Sequence, residues 1–204
     1  MNRSFSFSLC FALIACITAS FTSNANAVDL ELKNGDHIVY LGNGLADRMQ
    51  HDGWFETYTQ AAKSDMGLVF RNHGYAGDTV TKRPRNRGFI PVDTYLKISK
   101  ADVIFAFFGY NESFSSNPDS YEKELAKWVD ETLKKNFSGK GAPRIVLFSP
   151  IAHENHNSLD LPDGKENNKR LMAYAHATQK VAQAKNLPYV DLFHPTLKLF
   201  AKSS

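Results

Sequence analysis

From Gly35 onward, short apolar runs alternate with longer segments in which apolar residues recur every three or four positions. The runs cover residues 38–41, 67–72, 102–108, 144–150 and 187–193. They are rich in Val, Ile, Leu and Phe and nearly continuous rather than alternating, the pattern of strands buried on both faces. Between them, helical spacing links Leu45, Met49, Trp54, Phe55, Tyr58 and Ala62, with an interruption at Asp52-Gly53. A second helix is predicted from Pro118-Asp119, carrying Tyr121, Leu125, Trp128 and Val129 on one face, and a third carries Leu171, Tyr174, Ala175, Thr178 and Ala182. Strands separated by helices predict an α/β fold with a parallel sheet covered on both faces. In such a sheet ligands bind above the carboxyl ends of the strands. The loops expected there are 42–44, 74–79, 109–113, 151–156 and 191–195, which concentrate Gly, Asn, Asp and His on one rim.

The first 27 residues do not belong to this pattern. Arg3 precedes an almost uncharged apolar run, 5–21, followed by Ala25-Asn26-Ala27, as in a secretory signal peptide cleaved before Val28. This predicts an exported, periplasmic or extracellular protein whose single domain is 28–204. Leu13-Ile14-Ala15-Cys16 has the form of a lipobox, so a lipid anchor on Cys16 is the minor alternative, and a membrane span is a weaker one because serines and threonines break the run. Both cysteines of the sequence, Cys10 and Cys16, lie in this leader. The domain that remains is therefore without disulfide, thiol nucleophile or cysteine metal site. A net charge of +3 over 204 residues is too small to argue for nucleic acid.

The turn after the first run, Gly42-Asn43-Gly44-Leu45, is where a fold of this kind places its reactive group, yet it holds no hydroxyl, thiol or carboxylate. Together with Asn72-His73-Gly74-Tyr75-Ala76-Gly77-Asp78-Thr79 and Gly109-Tyr110-Asn111-Glu112, it resembles the sequence blocks of the SGNH/GDSL hydrolases. The phrases at 41–50, 70–79, 107–114 and 149–155 resemble more narrowly a divergent exported branch of planctomycete-type genomes, some of whose members are joined to larger proteins. The resemblance implies a flavodoxin-like three-layer fold with a five-stranded parallel sheet. It implies ester hydrolysis on a small ester or acylated carbohydrate, without cofactor or metal. It also implies roles. Gly44 stands at the nucleophile position, with Asn43 beside it in place of the family's aspartate, while Gly74 N–H and the Asn111 amide correspond to the oxyanion hole. The family's last block is Asp-x-x-His, and Asp191-Leu192-Phe193-His194 fits the letters. Because Asp191 sits directly at the end of the fifth run, it is read here as the strand-end aspartate, with the later block and the final helix missing and the domain truncated at its C-terminus.

Other residues are weighed on their own chemistry. Gly74 is an oxyanion donor or a glycine required for positive φ, and Asn111 is a donor or a loop-capping amide. His153, beside Glu154, is a base for a bound water or a loop histidine bonded to backbone. His153 and His156 do not have the spacing of the His-Glu-x-x-His zinc motif. Arg83, Arg85 and Arg87 form a solvated basic loop or, less simply, a clamp for an anionic glycan, and Tyr75, Tyr110 and Phe114 could stack on a sugar ring. Two functions follow: an ester hydrolase, or a non-catalytic glycan- or carboxylate-binding module that keeps the pocket without the nucleophile.

Overall fold

The computed structural model describes residues 28–84 and 90–203. The leader 1–27, with its cleavage site and Cys16, lies outside the described residues, as do Arg85 and Arg87. The strands β1 (His37–Gly42), β2 (Val69–Asn72), β3 (Val103–Phe107), β4 (Arg144–Phe148) and β5 (Tyr189–Val190) form one parallel sheet in the order β2-β1-β3-β4-β5. Each coincides with one of the apolar runs. Strand alternation divides them between two cores: Val39, Leu41, Ile104, Ala106, Ile145 and Leu147 face one side, and Ile38, Tyr40, Val103, Phe105, Phe107, Val146 and Phe148 the other. Full burial of a large apolar residue in either core contributes about 1.5–3 kcal/mol before the entropy cost of ordering.

The helices are α1 (Gly44–Arg48), α2 (Trp54–Ala62), α3 (Val92–Ile98), α4 (Pro118–Thr132), α5 (Lys165–Lys185) and α6 (Phe193–Ser203). The predicted interruption at Asp52-Gly53 separates α1 from α2. Helix α4 starts with Pro118 after an Asn117 cap and buries Tyr121, Leu125 and Val129 against α5, where Tyr121 Oη and Thr178 Oγ1 lie 2.9 Å apart in the shared core. Helix α3 was not foreseen: it buries Leu96 alone, too little to register as periodicity. Nor does helical spacing in α2 bring burial, since Trp54 and Tyr58 stack on each other in solvent with centroids 6.2 Å apart.

The C-terminal region corrects another expectation. Instead of a sheet lacking its closing helix, α6 follows β5 directly. Asp191 Oδ1 accepts the His194 N–H at 3.2 Å, which caps the first turn, and Phe193 packs with Ala152, Leu171 and Ala175. Ser149 Oγ accepts the N–H groups of Leu192 and Phe193 at 2.8 and 3.0 Å, fixing the start of α6 to the end of β4.

Strands β1 and β3 are neighbours whose following connections leave in opposite directions, so the crevice above their carboxyl ends is the topological switch point. Gly42 makes it close: at φ +142°, a Cβ there would stand 2.1 Å from the Phe107 carbonyl oxygen. Among the described residues, no helix is long and apolar enough to cross a membrane.

Candidate active site

A cavity of about 670 Å³ opens at this switch point. The β1–α1 turn supplies Asn43, Gly44, Leu45 and Arg48. Ala76 and Gly77 come from the loop after β2, Phe107, Phe108, Tyr110 and Asn111 from β3 and its loop, Ser149 to Glu154 and His156 from the loop after β4, and Phe200 from α6.

The sequence-predicted residues are not all brought together here. Asn43 and Gly44 line the cavity; Asn43 is 4% exposed, its Oδ1 accepts the Leu45 N–H at 3.3 Å, and its backbone N–H is tied to Phe107 O at 3.0 Å. An ideal Cβ on Gly44 would meet nothing within 4 Å, so the nucleophile position is open space. Asn111 lines the cavity too, and its amide donates one bond to Asp78 O at 3.0 Å. Gly74 is not among the lining residues. Its N–H donates to Asn72 Oδ1 at 2.8 Å, while Asn72 Nδ2 donates to Ala46 O at 2.6 Å. Its φ is not positive; it is a glycine because a Cβ would lie 2.5 Å from the Asp47 backbone nitrogen. The oxyanion pair expected from the resemblance therefore has one member at the cavity and the other engaged beneath α1.

Asp191 and His194 pair closely, with His194 Nδ1 2.7 Å from Asp191 Oδ2. The pair opens α6; His194 is not among the lining residues, and its ring stacks at 6.2 Å on His176 of α5. His153 does line the cavity. Its Nδ1 lies 2.9 Å from Asn167 Nδ2, its backbone N–H donates to Asn168 Oδ1 at 2.7 Å, and its carbonyl accepts from Asn168 Nδ2 at 3.0 Å.

The third block is braced by a residue without a sequence-stated role. Glu112, 8% exposed, accepts the Val80 and Gly109 N–H groups at 2.8 and 2.9 Å. Burial pushes its carboxyl above the ordinary glutamate range against those donors. Arg83, expected in a solvated loop, is instead a buried cation: its side chain is 8% exposed, 3.8 Å from Asp78 and 4.6 Å above the Phe108 ring. Tyr110 and Phe114 make an edge contact at 5.7 Å, and Tyr110 reaches the cavity.

Among the lining residues, hydroxyls belong to Ser149 and Tyr110 and the one carboxylate to Glu154. Ser149 Oγ donates to Pro150 O at 3.0 Å besides accepting from the start of α6, so it holds structure rather than awaiting a substrate. Among the described residues there is no cluster of three or more His, Cys, Asp or Glu able to hold a metal ion. The cavity offers oriented donors, from Asn43, Arg48, Asn111 and His153, between aromatic and aliphatic walls. Sequence inspection passed over Arg48, Phe200, Asn167, Asn168 and Glu112. The adjacent asparagines in the first turns of a helix were the available signal, because asparagine disfavours helix interiors unless its side chain is engaged.

The model of the GDSL-like lipase/acylhydrolase family matches residues 35–203. The chain belongs to this family. No curated protein matches the sequence. Among solved structures, this GDSL-like chain is similar to a catalytic mutant of Axe2, an acetylxylan esterase from Geobacillus stearothermophilus, at 16% identity and a TM-score of 0.64, covering 84% of this chain and 83% of that one. It is also similar to Est24, a carbohydrate acetylesterase from Sinorhizobium meliloti, at 13% identity and a TM-score of 0.55, covering 76% and 83%. LAE5, an α/β-hydrolase enzyme from the metagenome of Lake Arreo, Spain, aligns at 16% identity and a TM-score of 0.56, covering 80% and 79%. At these identities the likeness shows the fold, a three-layer α/β sandwich shared with carbohydrate esterases.

Proposed function

We propose that this acylhydrolase-family protein holds an acyl group carried on a carbohydrate in its cavity without forming a covalent acyl-enzyme. One observation carries the reading: Gly44 stands in open space at the nucleophile position, and the hydroxyl of Ser149 is already bonded on both sides. An acyl-enzyme needs a nucleophile with a base in hydrogen-bond reach, and His194, paired with Asp191, has its ring against His176 of α5 and is not among the lining residues. The substrate class is supported by the Asn, Arg and His donors among aromatic walls and by structural neighbours that act on acetylated carbohydrates. The test is incubation with partly acetylated xylooligosaccharides, followed by intact-mass spectrometry and measurement of free acetate. Saturable binding with no acyl adduct is expected; an adduct on any residue contradicts the proposal.

A second reading is direct hydrolysis by water, with Glu154 as base. It is favoured by Glu154 being the one carboxylate among the lining residues, beside the same donors. Its mark is acetate release without an adduct, abolished by Glu154→Gln. Export belongs to the same proposal, since residues 1–27 have the makeup of a leader and polymeric glycans lie outside the cytoplasm. A secreted form beginning at Val28, identified by mass, is the expected product; a cytoplasmic, uncleaved protein contradicts it.

A further inference from the structure

Histidine 153 is held more completely than a surface-loop histidine requires, and everything that holds it comes from the first turns of α5 and the residue that caps them. Asn168 clamps its backbone N–H and carbonyl with its own amide, at 2.7 and 3.0 Å. Gly164 lies flat against the ring: with φ +79° and a Cβ position only 2.8 Å from His153 Cδ2, no other residue fits there without displacing the imidazole. The remaining contact, Asn167 Nδ2 to His153 Nδ1 at 2.9 Å, sets the chemistry of the ring.

The amide of Asn167 cannot be turned over, because Arg170 Nη2 bonds to its oxygen and a guanidinium has donors only. Arg170 is itself placed over the Phe114 ring, 5.7 Å from its centroid, at the end of the loop that bears Asn111. The NH₂ end of Asn167 therefore faces His153, and a neutral imidazole can meet a donor at Nδ1 only as an acceptor, leaving its proton on Nε2. Among the described residues Nε2 has no hydrogen-bond partner, and His153 lines the cavity.

We infer that Phe114, Arg170 and Asn167 lock His153 as an Nε2–H donor that binds the acyl carbonyl oxygen of the ligand, which makes it a recognition residue rather than a general base. Asn167 and Arg170 are positioning residues. The inference rests on the acyl-carbohydrate reading for its ligand, and it rules out the water-base role for this histidine, so that in the second reading the role falls to Glu154.

The test uses the full-length protein with ¹⁵N-labelled histidine rings, above the ordinary imidazole titration range, titrated with partly acetylated xylooligosaccharides. His153→Phe identifies the resonance. The expected spectrum has the ring proton on Nε2, and that signal shifts as ligand saturates the cavity. Asn167→Asp keeps the shape and still receives Arg170, but its carboxylate accepts from Nδ1, so the proton changes nitrogen. Loss of one ligand hydrogen bond then weakens binding about five- to tenfold in Asn167→Asp and in His153→Phe. His153→Gln, which can again present an N–H, recovers part of the loss, as a purely structural role would not. A ring proton on Nδ1 in the wild type, or equal affinity in all four proteins, overturns the inference and leaves the cavity reading intact. No saturation by the wild type overturns the cavity reading itself, whatever the tautomer.

Discussion

On the β1 and β2 side of the cavity, the residues that carry the family's letters are engaged in folding. Gly42 admits the Phe107 carbonyl, Gly74 lets the loop lie on α1 and gives its N–H to Asn72, and Gly44 has no side chain to offer. On the β4 side the order is reversed. His153, Glu154 and His156 were given no role by the family's blocks, yet they line the cavity, and α5 fixes the first of them in place. A motif can thus persist because the backbone needs it while the chemistry available to a ligand is supplied from the opposite wall.

The contrast can be broken by substitution. The largest effect is expected from Gly42→Ala, where a methyl would sit 2.1 Å from a backbone oxygen that β3 cannot withdraw. A loss of about 4 kcal/mol or more, or failure to fold, should appear in urea unfolding. Next is Glu112→Gln, which leaves one of two buried N–H groups facing another donor and should cost about 1–3 kcal/mol. The pH dependence has a defined sign. Burial raises the folded-state pKa of Glu112, so its contribution is fully present below the ordinary glutamate value and is lost as pH rises through the folded-state value. Unfolding curves across the acid range should show this slope in the wild type and not in Glu112→Gln.

Gly164→Ala tests the β4 side specifically. A methyl in left-handed backbone costs about 1–2 kcal/mol, and its contact with the imidazole should also weaken ligand binding. Unchanged binding would detach His153 from the cavity's work. Tyr40→Phe runs the other way: the Tyr40 hydroxyl is buried among Phe55, Phe70, Phe105 and Phe107 with no hydrogen-bond partner among the described residues. Its removal should raise stability by about 1 kcal/mol in thermal or urea unfolding. The smallest effect belongs to Gly44→Ser, which enters open space; stability should stay within about 0.5 kcal/mol. With His194 outside the cavity lining, the new hydroxyl should yield no acyl adduct from p-nitrophenyl acetate, and a burst of p-nitrophenol would show that only the nucleophile was missing.

The sheet was legible because β1, β3 and β4 are buried on both faces, so their sequences are unbroken apolar runs. Helices α4 and α5 were legible because each buries a periodic stripe. Where burial is slight the signal vanished: α3 buries one residue, and the opening of α6 depends on Asp191 and Ser149, whose bonds to it are polar. The site was legible in part. Asn43 and Asn111 of the motif blocks line the cavity. The partner of Gly74 N–H was two residues away and still invisible, because an asparagine can turn toward backbone or ligand equally well. The state of His153 depends on Asn167 and, through it, on Arg170; the adjacent asparagines signal engaged side chains, but the fold decides which partners they find.

The central claim, that the cavity recognises an acyl group on carbohydrate, is tested most directly by calorimetric titration of the protein with acetylated xylooligosaccharides and with the same oligosaccharides after chemical deacetylation. Saturable binding of the acetylated material, markedly tighter than of the deacetylated, is predicted. Equal affinity for both, or heat from neither, would contradict it.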